Sequence, residues 1–252
     1  GTHFEVNGQP VFLRGTLECC IFPLTGYPAM HSDYWAKIYR TCKAYGLNHV
    51  RFHSWCPPEA AFHVADSMGV YLQVECGGWA EVGSGKPQDQ WLKEESDRIL
   101  EEYGNHPSFC LFSLGNELQY DFGFLGSLLN HVKEKDPRHL YTTTSFTFEK
   151  GHGDWPETND DFFITQWTRK GWVRGQGVFN SEPPRFDKDY SASVEGMEVP
   201  LITHEIGQYA VYPDLKEIEK YIGILDPLNF KGVKEDLERK GLADKADDYL
   251  MA

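Results

Sequence analysis

The chain has 252 residues, long enough to bury a large core, and one barrel-sized domain is the default for that length. A formal charge of −14 and a pI near 5.1 argue against a nucleic-acid surface, which needs clustered Lys and Arg. No run approaches the ~18 consecutive apolar residues of a membrane span, and no basic segment followed by an apolar one opens the chain.

Strand-like and helix-like stretches alternate, which favours a parallel α/β arrangement. Val11 to Arg14 reads as a first strand, and Ser32 as the N-cap of a helix through about Tyr45, with Asp33 in its first turn and Gly46 ending it. His49 to Phe52 is the second strand. Pro57-Pro58-Glu59 opens a helix to about Met68, with proline where its missing N–H costs nothing. Val70 to Val74 is the third strand, followed by Glu75-Cys-Gly-Gly-Trp79, and Gln90 to Tyr103 is an amphipathic helix. Asn105-His-Pro107 forces a turn into the run Phe109 to Gln119. Phe122 to Lys135 reads as helix, Leu140 to Thr144 as the fifth strand, Phe162 to Gln166 as the sixth and Val199 to Thr203 as the seventh. Thr168 to Glu198, rich in Gly, Pro and charge, is expected to be a long loop with a short helix. Helical patterns return over Asp214 to about Ile224 and Gly232 to Tyr249, and no eighth strand is visible.

Six cysteines, at 19, 20, 42, 56, 76 and 110, form no C-x-x-C pair and are read as mostly reduced, with adjacent Cys19 and Cys20 open to reactivity. Zinc is not expected, because no paired Cys or His ligands stand at finger-like spacing. Gly83-Ser-Gly-Lys86 lacks the phosphate-loop spacing, Gly175-Gln-Gly177 has no third glycine, and a Gly-x-Ser-x-Gly elbow is absent, so no cofactor is implied.

Chemistry concentrates at two strand ends. The apolar run from Phe109 breaks at Gly115-Asn116-Glu117, and Val199-Pro-Leu-Ile-Thr-His204-Glu205 ends in a second carboxylate before Gly207. Side chains at the carboxyl ends of barrel strands face the open mouth. Two carboxylates presented there suit glycoside cleavage, one protonating the leaving oxygen and the other attacking the sugar carbon or activating water.

The Asn116-Glu117 pair, the lone Glu205, the opening Phe4-Glu-Val-Asn-Gly-Gln-Pro-Val-Phe-Leu-Arg14-Gly15 and Gly46-Leu-Asn-His-Val-Arg51 resemble the family 2 glycoside hydrolases, which include β-galactosidases, β-mannosidases and β-glucuronidases. The similarity runs from about residue 4 to about 212. It implies a (β/α)8 TIM barrel over residues 9–212, expected to stop before its eighth strand, with residues 1–8 as a joint to upstream β-sandwich domains of the parent chain and 213–252 as a charged helical tail. It also implies a retaining exo-glycosidase acting on terminal β-linked sugars of an oligosaccharide or glycan. The sugar and the compartment stay open, with a preference for a periplasmic or secreted origin.

Within this reading Glu117 is the general acid/base, its pKa raised by a second carboxylate about 5 to 5.5 Å away, and Glu205 is the nucleophile. Asn116 is expected to hydrogen-bond the sugar 2-hydroxyl, and Arg51 to reach the floor of the site near Glu205 and keep it ionised. His53 and Trp55 follow in Arg-Phe-His-Ser-Trp-Cys-Pro. Common family members place a histidine three residues after the arginine rather than two, which leaves His53 between sugar ligand and loop packing. Trp79 and Trp167 sit where a barrel mouth would stack them on sugar rings. Glu18, just past the first strand, is open to binding a hydroxyl but reads first as a surface residue, and His204 reads as packing. Two alternatives remain: a non-catalytic carbohydrate-binding barrel, and an inverting hydrolase with carboxyls about 6.5 to 9.5 Å apart.

Overall fold

The computed structural model describes residues 2–174, 187–206 and 213–249; Gly207 and the Gly175–Gly177 pair lie outside them. A short antiparallel hairpin comes first, pairing Phe4–Val6 with Gln9–Val11. Its two-residue turn is Asn7-Gly8, both at positive φ (53° and 73°), the residue pair that a tight hairpin turn demands. The expected strand at Val11–Arg14 is therefore corrected: Val11 is used by the hairpin. Arg14 is instead tied to Asn48, which accepts from the Arg14 N–H through Oδ1 at 2.8 Å and donates its own N–H to the Arg14 carbonyl at 2.9 Å. The barrel begins one residue later.

Five parallel strands then lie side by side in chain order: β1 Gly15–Glu18, β2 His49–Phe52, β3 Tyr71–Glu75, β4 Phe109–Ser113 and β5 Leu140–Thr142. β6 Phe163–Thr165 and β7 Leu201–Thr203 pair in parallel with each other, and the Asp161 N–H joins this ladder to β5 through the Tyr141 carbonyl at 2.8 Å. Among the described residues this makes seven parallel strands of a TIM-barrel arrangement.

Helices α1 Ser32–Ala44, α2 Glu59–Met68, α3 Pro87–Tyr103 and α4 Phe122–Lys135 supply the crossovers. The N-cap of α1 is His31, one residue before the expected Ser32, and Trp35, Tyr39 and Cys42 recur at i, i+4, i+7 to bury one face. Gly69, left-handed at φ 66°, ends α2. α3 starts earlier than Gln90 because the Asp89 carboxylate accepts the N–H groups of Gly83 (2.6 Å) and Lys86 (2.8 Å), closing the N-terminus around Pro87. In α4 the Asp121 side chain accepts the Phe124 N–H at 2.9 Å.

The expected loop after β6 carries a small hairpin, Trp167–Thr168 with Gly171–Trp172, and a 3-10 turn at Ser191–Val194. The two expected C-terminal helices are redrawn as a 3-10 turn at Leu215–Lys220, α5 at Leu228–Arg239 and another 3-10 turn at Ala243–Tyr249. Pro227 sets the start of α5, and Gly241 at φ 67° follows its end.

Strand alternation sorts the interior. On β2, Val50 and Phe52 join Trp35, Phe62, Leu72, Val74, Phe112, Leu129 and Tyr141 in the main core, whereas Arg51 hydrogen-bonds Glu75. A smaller cluster, Leu111, Phe162 and Ile164 with Leu13 and Ile202, packs separately. Apolar packing on one side of the sheet thus leaves polar groups on the other to converge.

Phe112 has no exposed surface. Truncation to alanine is expected to lower unfolding free energy by about 3–5 kcal/mol, measured by chemical denaturation.

Candidate active site

The turn after β4 is built around Gly115, where a Cβ would stand 2.8 Å from the Gly78 carbonyl oxygen and about 3.0 Å from the Leu118 side chain. Only glycine fits, and the tight approach lets Asn116 N–H donate to that same carbonyl at 2.9 Å. On the other side Glu117 N–H donates to the Ser145 carbonyl at 3.2 Å and Ser145 N–H to the Gly115 carbonyl at 2.9 Å. Asn116 and Glu117 are strapped between the loops that follow β3 and β5. Both Glu117 (φ 49°) and Glu205 (φ 51°) hold left-handed backbones at their strand ends, a conformation that costs a non-glycine residue about 1–3 kcal/mol.

Beneath them lies Arg51, 3% exposed. Its Nε donates to Glu75 Oε1 at 2.6 Å, its Nη2 to Asn116 Oδ1 at 2.7 Å, and its Nη1 to His204 Nδ1 at 3.0 Å. The expectation that Arg51 serves Glu205 is corrected: the carboxylate in its ion pair is Glu75, with no exposed surface at the tip of β3. Glu75 also accepts the Ser54 N–H at 2.8 Å, Gln73 Nε2 at 3.2 Å and the Ser145 hydroxyl. Burial alone would push its carboxyl up, but the Arg51 charge and these hydrogen bonds hold it below the ordinary value. His204 is pushed far down by burial, then by Arg51, Arg174 and His53, so it stays neutral and accepts from Arg51 at Nδ1. It does more than pack.

Glu205 meets a different set. Gln166 Nε2 donates to its Oε2 at 3.0 Å, while His53 Nε2 and His204 Nδ1 stand 3.9 and 3.8 Å from its Oε1. Arg174 Nη1 donates to the Glu205 main-chain carbonyl at 2.5 Å. Glu117 is raised above the usual carboxylate range, first by burial and then by the charge of Glu205, with a Trp79 hydrogen bond and the Arg51 charge pulling it back. The two carboxylates sit close enough to feel one another.

Trp79, 65% exposed, rises above Glu117 and meets His53 edge to face at 6.1 Å. Trp167 packs edge to face against Phe146 (4.6 Å) and Trp172 (5.4 Å), and Phe146 in turn lies 5.8 Å from His204. Trp79 therefore touches Glu117, and Trp167 is linked to His204 through Phe146. Trp55 packs elsewhere. Its indole N–H donates to the Glu18 carbonyl at 3.1 Å and its ring packs on Phe52, Phe22 and Trp35, so the expected sugar contact is corrected to a core support. Glu18 is half-buried rather than a plain surface residue, its carboxylate accepting the Cys20 N–H at 3.0 Å. All six cysteines are unpaired.

Sequence reasoning missed Glu75, Gln166 and Arg174. Glu75 ends Tyr-Leu-Gln-Val-Glu, the same apolar-run-to-carboxylate pattern that exposes Glu117 and Glu205, so its signal was available. Gln166 follows β6 directly. Arg174 lies beyond a two-residue hairpin strand, where no periodicity points to it.

Residues 1–221 match the family described as "Glycosyl hydrolases family 2, TIM barrel domain". The chain is 26% identical over 163 residues to a beta-galactosidase of Leuconostoc mesenteroides subsp. mesenteroides, covering 61% of this chain and 15% of that protein. It is 28% identical over 152 residues to a putative beta-glucuronidase of Formosa agariphila, covering 56% and 14%. A solved FMN-binding beta-glucuronidase from Facaelibacterium prausnitzii L2-6 shares the fold at a TM-score of 0.51 and 19% identity, over 61% of this chain and 27% of that one. The chain spans between 13% and 16% of the length of the curated relatives it matches.

Glu75→Gln would leave Arg51 buried without its counter-charge, at a cost of about 3–5 kcal/mol by denaturant titration. Because the native Glu75 carboxyl lies below its unfolded value, the folded state binds fewer protons in the acid range. Its contribution is complete above the ordinary carboxylate range and is lost as pH falls through the native value. The variant should accordingly show a flatter loss of stability toward acid.

Proposed function

The chain belongs to glycosyl hydrolase family 2, and from that premise we propose that it forms the catalytic domain of a retaining exo-glycosidase removing terminal β-linked sugars from oligosaccharides or glycans. The observation that carries this reading is the electrostatic contrast at the strand ends: Glu117 is raised by burial and by the negative charge of Glu205. A carboxyl so raised keeps a proton to give to the departing glycosidic oxygen.

Glu205 acts as the nucleophile. Its carboxylate forms the bond to the anomeric carbon as Glu117 protonates the leaving oxygen, giving a glycosyl-enzyme. Glu117, now ionised, takes a proton from water, which attacks the same carbon and releases Glu205. Gln166, donating to Oε2, orients the nucleophile, and Arg174 fixes its backbone. Asn116 has its Oδ1 committed to Arg51, while its Nδ2 has no partner among the described residues, leaving an N–H to donate to the sugar 2-hydroxyl. Trp79 and Trp167 offer apolar faces to sugar rings, and His53, beside Glu205, contributes a polar edge. The catalytic unit is residues 9–212, with residues 1–8 leading from β-sandwich domains of the same parent chain and 213–252 as an appended tail.

The test is hydrolysis of 4-nitrophenyl β-galactoside, mannoside, glucoside, glucuronide and xyloside by the full-length parent, with the first-formed anomer read by NMR. Retention is expected. Glu117→Gln and Glu205→Gln should each lower kcat by about 10²–10⁴-fold or more; turnover at the parent rate in either variant, or an inverted product, would overturn the assignment. Trp79→Phe removes a hydrogen bond that favours ionised Glu117, so the alkaline limb of kcat/KM should move to higher pH.

A further inference from the structure

At the end of the strands opposite Glu117 and Glu205, α2 and the turn into β4 bring His63, Asp66 and His106 together. One ring nitrogen from each histidine and one carboxylate oxygen lie within 4.8 Å of one another. We propose that this cluster binds a divalent cation of the zinc class, held by two imidazoles and one carboxylate, with solvent completing a tetrahedral set. The site is separate from the glycosidase reading and does not depend on it.

Two of the three ligands already face each other, joined by a hydrogen bond whose proton a bound cation would displace. Asp66 Oδ1 accepts the Ser108 N–H at 2.9 Å, and Oδ2 is joined to His106 Nδ1 at 2.6 Å. The His106 side chain is only 13% exposed and stacks on Phe62 at 5.2 Å, so its ring has little freedom. His63 stands one turn before Asp66 on the same helix face and meets His106 edge to face at 4.9 Å. It is exposed, with a 3.2 Å contact to Glu59, and already offers one nitrogen within 4.8 Å of the other two ligand atoms.

Donor chemistry narrows the ion. Imidazole nitrogens suit zinc and its transition-metal neighbours, whereas calcium and magnesium prefer all-oxygen shells. A net charge of −14 draws cations toward the surface. Short-range motif spacing does not reveal the site, because His106 arrives from a different element than His63 and Asp66. A bound ion would clamp α2 to the entry of β4, at the face of a barrel where residues serve stability rather than chemistry.

Metal-stripped protein titrated with zinc chloride by calorimetry should show one saturable site. Its Tm should rise by about 5–10 °C at a hundredfold excess over Kd, with no shift from magnesium. Binding should weaken as pH falls, since protons compete for the imidazoles. His63→Ala, at an exposed position, should keep the metal-free Tm yet weaken zinc binding by about tenfold or more; His106→Gln should weaken zinc binding likewise. A Cys19→Ser, Cys20→Ser double variant should bind as the parent does. Absence of one-to-one binding, affinity unchanged in His63→Ala, or loss of binding in the cysteine variant would each overturn the proposal.

Discussion

The architecture of the active end rests on one buried ion pair, Arg51 with Glu75. Taking both charges out of water carries a desolvation cost of several kcal/mol per ion, offset only where geometry is good and the remaining donors and acceptors are satisfied. Here they are met by Ser54, Gln73 and Ser145 around the carboxylate, and by Asn116 and His204 around the guanidinium. Those partners come from β2, β3 and the ends of β4, β5 and β7. The pair therefore works as a joint: whatever places Arg51 also places Asn116 beside Glu117 and His204 beside Glu205.

Three glutamates at three strand ends occupy distinct electrostatic environments. Glu75, fully buried, is held ionised by a cation and three further donors; Glu117, only half-buried, is raised first by burial and then by the charge of Glu205, with no paired cation among the described residues to reverse it. Glu205 takes its support from a neutral amide, Gln166. Burial alone would rank Glu75 and Glu117 wrongly, since the paired cation at Glu75 reverses the outcome there. The left-handed backbones at Glu117 and Glu205 belong to the same design: the turn out of the strand aims each carboxylate, and the ladder of bonds around Gly115 and Ser145 sustains the strain at the first of them.

Much of this could be read in the residues. The alternation of apolar runs with amphipathic stretches marks the parallel strands and the four crossover helices, and β2 and α4 fall on their expected bounds, because periodicity, proline and glycine act locally there. Glu117 and Glu205 stand out because each ends an apolar run. What sequence could not supply was pairing. Arg51 has two carboxylates within reach of a plausible barrel, and only the register of β2 on β3, with Arg51 opposite Gln73, selects Glu75. Trp55 misleads because a tryptophan just after a strand reads like a rim residue, whereas the chain turns it back toward Phe52 and Trp35. The strand misplaced at Val11–Arg14 reflects a hairpin signal, Asn7-Gly8, competing successfully for the same residues.

Among the described residues nine buried polar side-chain atoms lack a protein partner, and three of them, Asn116 Nδ2, His204 Nε2 and Arg174 Nε, belong to residues around the two carboxylates. Each buried donor left this way costs the folded state about 1–3 kcal/mol. The active end is thus a frustrated region held in shape by the rest of the barrel, and replacing such a donor with an apolar group of similar size would relax the fold while removing a means of recognition. On the proposed function, affinity for a hydroxyl-rich ligand and intrinsic stability draw on the same few atoms, so selection for one acts against the other.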